Sequence, residues 1–421
     1  MPAECLAFGN LLSGDTAMRK IPGLIRFSVL LGIFIGLAGM PQMLFAVNPA
    51  FYQYAVRHEK GAAPFFPYAN VARESVNMAN GNLFFTIPLV SRPGRNGLGI
   101  DLKLAYNSKI WDFYYQGGTR YATLAERDSW VGVGWTLCIA RVIDDSANGH
   151  YYVTLSDGSN HDVTYYGGAW RSMDSSYLVY DPALNKLILK NGSSITLGYV
   201  DPLDSTMRYA TRVQDTNGNY IEISYQGAGG RINTIQDTLG NTYTFLLQNN
   251  HLQMIKYFNT NDTTQPTSWV WFGYQARTIA FGPETATDPS LPVQYQPEEI
   301  GLWPINYQFT YLSSGEVSQV TYPACGKSRY FYSTKNVFDR LLNNTVPEHW
   351  VTGYDTGIEG DSDNWTWEYG FLTPPTAANA VNQYMQDGKV IYYRMLQASN
   401  GWADGFVTYT LNYRVFSGIC G

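Results

Sequence analysis

An all-β chain of successive antiparallel hairpins is what this sequence predicts, on three observations. The first is composition: Tyr 33, Phe 20, Trp 11 and Gly 40 among 421 residues, with only 15% charged. Aromatic side chains suit a pleated, half-buried surface, and glycine marks the turns between strands. The second is alternation: apolar and polar residues change places with period two on either side of turn-forming clusters. The third is recurrence, since a short pattern of turn and strand residues returns along the second half, as in stacked supersecondary units. The net charge of −6, with no Lys/Arg patch, argues against a nucleic-acid partner because nothing gathers to neutralise phosphates.

Residues 1–46 read as a leader. Arg19, Lys20 and Arg26 precede or open the uncharged run Phe27 to Met40, followed by helix-breaking Pro41 and small Ala46, the order of a secretory signal. Residues 1–17 do not look like the start of such a signal, so translation is expected to begin at Met18. Cleavage is placed after Ala46, and the mature chain is expected to be secreted or at the cell surface. The alternative is a retained anchor, because the apolar run extended through Val47 is barely long enough to span a bilayer. Only on that alternative is a membrane a partner.

Residues 47–74 form an irregular, Pro- and Ala-rich lead-in, and residues 75–200 a β cap. Leu83, Phe85, Ile87 and Leu89 alternate with Asn82, Phe84, Thr86 and Pro88. Beyond the turn cluster "RPGRNG", Leu98, Ile100, Leu102, Leu104 and Tyr106 alternate with Gly99, Asp101, Lys103 and Ala105. This predicts a hairpin. Pro88 has no N–H for a ladder, which puts that strand at an edge there. "VGVGWTLCIARVID" (Val131 to Asp144) reads as one further strand with glycines at a bulge or close approach, and Asp157-Gly158 and Asn191-Gly192 as hairpin turns.

Residues 201–421 carry the recurrence, degenerate after about 335. Asp215-x-x-Gly218-Asn219 returns as Asp237-x-x-Gly240-Asn241-x-Tyr243, with Tyr225 and Gly230-Arg231-Ile232-x-x-Ile235 between. A third, weaker copy runs from Tyr311 through Gly315 to Val317-x-x-Val320. The only helix-period stretch is 374–388.

The block "GNLFFTIPLVSRPGRNGLGIDLKLAYNSKIW" followed by "VGVGWTL" resembles the amino-terminal shell region of the Rhs/YD-repeat family and toxin-complex shell subunits. The match rests on Gly81, Leu83, Ile87-Pro88-Leu89, Pro93-Gly94-Arg95, Gly97-Leu98, Tyr106-Asn107-Ser108 and Gly132-x-Gly134-Trp135. The D-x-x-G-N copies look like the family's YD repeats. The resemblance implies a bacterial β-shell, or cocoon, that encloses a toxin or mediates cell-surface interaction. It also implies a toxin or further shell segment, encoded downstream, as partner. The chain stops at "FSGICG" without the family's core segment or cleavage motif, so a partial shell is expected.

Signals for chemistry are sparse. The five histidines lack metal-ligand spacing, and Cys5, Cys138, Cys325 and Cys420 form no CxxC pair and choose no disulfide. No G-x-S-x-G elbow presents a serine, and Gly218 and Gly240 precede no helix that would make a phosphate cradle. The expectation is a non-catalytic protein without cofactor or metal. Two alternatives are an adhesin whose Trp269, Trp365 and Trp367 contact a glycan, and a hydrolase using Glu298-Glu299 or Glu359, Asp361, Asp363 and Glu368. Asp361-x-Asp363 lacks the further ligands of a calcium loop, and aromatics recurring in register favour packing over ligand contact.

Overall fold

The computed structural model describes residues 68–71, 74–77 and 81–358, except 126–128, 173, 259–267, 284, 303–304, 324–325 and 340–343, together with strands 364–370, 389–398 and 413–415. Among these residues there is no α-helix, only strands and two short 3-10 turns, Arg95–Gly97 and Ser146–Asn148. Residues 1–46, read above as a leader, and the helix-period stretch at 374–388 lie outside the described residues, and no described helix is long and apolar enough to cross a membrane.

The alternation read from the sequence sets the first sheet. Strand Asn82–Arg92 pairs with Ile100–Asn107, bringing Ile87 opposite Leu104 and Phe85 opposite Tyr106. Leu83, Phe85, Ile87 and Leu89 are buried, as are Ile100, Leu102, Leu104 and Tyr106. Pro88 lies opposite Lys103, but strand Glu74–Asn77 on its other side reaches only Phe85. Pro88 thus sits at a local edge, where its missing donor costs nothing. The five-stranded sheet runs Tyr68–Val71, Glu74–Asn77, Asn82–Arg92, Ile100–Asn107, Trp135–Thr136. The expected strand from Val131 to Asp144 is broken. Gly132 and Gly134 have positive φ (105° and 79°) and turn the chain, so that Trp135–Thr136 joins this sheet and Ala140–Asp145 begins another.

From Ala140 onward the strands, apart from Ala286–Thr287, form one antiparallel ladder. Hairpins follow from Ala140–Asp145 through His150–Leu155 and Asn160–Tyr166 to Ser194–Thr196. Strand Met207–Tyr209 then returns to Ala140–Asp145, while Arg212–Gln214 pairs with Ser194–Thr196. The strands between therefore curl round their own core, which includes Val142, Val153, Val163, Leu187 and Leu197. Beyond Arg212–Gln214 the ladder continues by hairpins through Tyr220–Tyr225, Ile232–Gln236 and Thr242–Gln248 to the long pair Gly326–Asp339 and Asn344–Ile358. Among the described residues its outermost strands, Tyr199–Val200 and Tyr413–Val415, pair on one side only, and the ladder as a whole does not close into a barrel.

The apolar face of the first sheet packs on this ladder. Leu83, Ile87, Leu102 and Leu104 share one core with Ile235, Phe245, Ile255, Ile300, Val320 and Val351. Neither layer hides its apolar face alone, so the two are stable only as a sandwich.

Candidate functional site

The residues singled out in the sequence meet along the seam between the two layers. At one end lies the hairpin tip. Gly97 (φ 81°) and Asn96 (φ 52°) take left-handed conformations, which glycine and asparagine tolerate. Arg95 N donates to Thr238 Oγ1 at 2.8 Å, Thr238 Oγ1 donates to Leu98 O at 3.2 Å, and Asn96 Nδ2 donates to Asp215 Oδ2 at 3.3 Å. A Cβ on Gly94 would fall 1.9 Å from Leu98 O and 2.5 Å from Thr238 Oγ1. Only glycine allows Pro93-Gly94 to sit on the repeat turns.

Those turns have one design. Asp237 Oδ1 accepts from the N–H groups of Leu239 and Asn241, and Oδ2 from Asn241 Nδ2, each at 2.9 Å. Asp215 repeats this with Asn217 and Asn219. Gly240 and Gly218 follow in the left-handed region, at φ 85° and 86°. The aspartate satisfies donors the turn would leave bare, which is the physical content of the D-x-x-G-N spelling. The Asn219 amide and the neighbouring backbone donors hold the Asp215 carboxyl below the usual carboxylate range.

The Gly132-x-Gly134-Trp135 turn inserts Trp135 between the layers. Its ring lies 4.9 Å from Tyr106, 5.5 Å from Phe85 and 5.0 Å from Phe309, and Nε1 donates to Tyr311 Oη at 3.1 Å. Asn107 N donates to Gly134 O at 2.8 Å, and a Cβ on Gly134 would meet Asn107 O, Ile110 and Tyr106 at 2.9 Å. Tyr106 Oη accepts from Val317 N at 2.8 Å.

Tyr225 and Tyr311 belong to a series the sequence shows only in part. Tyr225, Tyr311 and Tyr332 each lie at a register shift of their hairpin. Each hydroxyl donates to a backbone carbonyl one hairpin back: Ala210 O and Pro297 O at 2.6 Å, Val317 O at 3.0 Å. Burial raises all three hydroxyls well above their ordinary value, so they stay protonated donors. Tyr243, fully buried, packs 5.1 Å from Tyr257.

Two clusters of polar groups escaped sequence reasoning. Lys109 Nζ lies 3.0 Å from Glu348 Oε2 and donates to His349 O, while His349 Nδ1 lies 2.7 Å from Glu316 Oε1. Glu316 is fully buried, and these groups line a cavity of about 20 Å³, room for one water. Burial lowers the Lys109 ammonium despite its carboxylate partner. The cluster ties the end of the cap strand to residues more than two hundred positions away, too far for local spacing to betray it. Elsewhere Ser159 Oγ lies 2.8 Å from His161 Nε2, and His161 Nδ1 2.5 Å from Asp174 Oδ2, the order of a serine-protease triad. The Ser159 hydroxyl, however, also lies 2.6 Å from Asp157 Oδ1, and all three side chains are buried. Gly158, in the same turn, is pressed against Ala105 and Phe84 of the cap. The geometry is that of a buried network pinning a hairpin to the sheet above it.

Among the described residues no group of acidic, histidine or cysteine side chains is placed to hold a metal, and Cys138 is buried, with its Sγ 3.8 Å from Leu155 O. Glu298 and Glu299 are adjacent on one strand and engage different partners, Arg277 and Asn306. Trp269 lies on strand Ser268–Arg277 and Trp365, Trp367 and Glu368 on Asn364–Gly370, with their side chains outside the described residues, as are Glu359, Asp361 and Asp363 altogether.

No family model matches the chain, and no curated protein matches it. Among solved structures it is similar to the N-terminal domain of effector protein SpvB from Salmonella typhimurium, at 12% identity and a TM-score of 0.23, covering 65% of this chain and 98% of that one. It is also similar to TcdB2-TccC3, at 11% identity and a TM-score of 0.25, covering 80% of this chain. A third similar structure is the Photorhabdus luminescens Tc holotoxin pore, at 13% identity and a TM-score of 0.26, covering 86% of this chain. The chain spans 19% and 20% of the length of those two toxin chains.

Proposed function

We propose that this chain is a non-catalytic, exported scaffold, the amino-terminal part of a β-shell that holds or shields another polypeptide. One observation carries the reading. The motif residues at the hairpin tip, the repeat turns and the Gly-x-Gly-Trp turn are spent on turns and on the seam between the five-stranded sheet and a ladder open at both described ends. Such a construction uses these motif residues to shape a wall. The motif resemblance supplies the kind of partner, a toxin or further shell segment encoded downstream, and an open strand edge gives it a place to pair.

Co-expression with the polypeptide encoded downstream, followed by size-exclusion chromatography and limited proteolysis, tests this. The expected result is co-elution, with the partner resisting protease only when this chain is present. A monodisperse monomer that ignores the partner and leaves it digestible would overturn the proposal.

A further inference from the structure

On the face of the ladder turned away from the cap, an open groove of about 620 Å³ crosses five successive strands, from Ser194–Thr196 to Thr242–Gln248. The register places Thr196 opposite Arg212, Arg212 opposite Glu222, Glu222 opposite Gln236, and Gln236 opposite Thr242. Directly opposed residues share a face, so these five side chains form one row perpendicular to the strands. Beside it, Ser224 and Thr234 bond to each other at 2.7 Å. The alternate residues Ile195, Ile221, Ile223 and Ile235 turn into the core. The exposed face is therefore a ladder of hydroxyl, amide, guanidinium and carboxylate groups at the strand spacing of about 4.8 Å.

Arg212 lines the groove. Its guanidinium carbon lies over the exposed Tyr220 ring, 3.7 Å from the centroid. Glu222 approaches it at 3.5 Å, leaving the groove without net charge.

We propose that this groove binds a neutral, extended glycan laid across the strands, with Arg212, Glu222 and Gln236 hydrogen-bonding successive sugars and Tyr220 flanking them. The chemistry of the lining selects that occupant. A nucleic acid needs a surplus of positive charge, which the Arg212–Glu222 pair cancels. A lipid needs an apolar floor. An extended peptide gains its backbone hydrogen bonds at a sheet edge rather than on a face, and its rise of about 3.3 Å per residue falls out of step with the strands. A chain of pyranose rings advances by close to one ring per strand, and its hydroxyls both donate and accept, as the row does. The inference does not rest on the scaffold reading, since a shell wall and a free-standing module would present the same groove.

Isothermal titration of the full chain with cellohexaose, laminarihexaose, xylohexaose and chitohexaose tests it. At least one is expected to bind, with Arg212→Ala and Gln236→Ala each weakening binding about tenfold, the loss of a single hydrogen bond, while the melting temperature holds. Gln236 is exposed and outside the core, so its variant decides the matter should Arg212→Ala fail to fold. Silence from all four sugars at millimolar concentration would overturn the proposal, as would binding that both variants leave intact. Capture of reduced, carboxymethylated lactalbumin, abolished by the same two substitutions, would reassign the groove to unfolded polypeptide and overturn it too.

Discussion

At the residue scale, Trp135 and Asp174 show what the interior demands. Trp135 is buried among Tyr106, Phe85 and Phe309, so Trp135→Ala removes the filling of the seam. Truncation of a buried aromatic costs about 3–5 kcal/mol, and urea denaturation should show a loss of that size. Tyr311→Phe keeps the ring but deprives Trp135 Nε1 of its acceptor and Pro297 O of its donor. A smaller loss, about 1–3 kcal/mol, is expected there. Asp174 gives a pH dependence. Burial pushes its carboxyl up, but hydrogen bonds from His161 and Ser176 outweigh burial and hold it below the usual range. A carboxyl depressed in the folded state contributes stability that is complete above its unfolded value, about 3.9, and disappears as pH falls through the folded value. The denaturation midpoint should therefore drop as pH falls below about 4, and Asp174→Asn should flatten that drop while lowering the midpoint at neutral pH.

At the element scale, the hairpin tip and the repeat turns act as one unit. Thr238 gives and receives a hydrogen bond across the gap, so Thr238→Ala should cost about 1 kcal/mol and raise hydrogen exchange at Arg95 N in the intact chain. The hairpin itself was legible, because period-two alternation is a property of neighbouring residues and Asn96-Gly97 declares the turn. The Asp215 and Asp237 turns were legible for the same reason: their hydrogen bonds close within four residues. The break at Gly132–Gly134 was not. A glycine in a strand pattern signals either a bulge or a turn, and the choice was made by Tyr106, Asn107 and Pro297, which crowd the places where side chains would go. The tyrosine series was half legible. Tyr225 and Tyr311 recur with the repeat, but Tyr332 shows its membership only through its bond to Val317 O.

At the scale of the whole molecule, the candidate site was the least legible part. Lys109, Glu316, Glu348 and His349 are strangers in the sequence and neighbours in space. The polar row of the groove depends on register across five strands, and one slipped residue would send Arg212 into the core. Far-ultraviolet circular dichroism is expected to show strand with negligible helix; a dominant helical signal would contradict the ladder itself. What the amino-acid order determined alone was local: the β class, the hairpins, the faces that turn inward, and the aspartate-built turns. These follow from alternation and from hydrogen bonds that close within a few residues. What only the tertiary structure decided was which buried faces meet, that the strands from 140 to 196 curl round a core of their own, and which polar side chains line up on the open face. Those outcomes depend on shape and register between segments far apart in the chain, and no short window of sequence contains them.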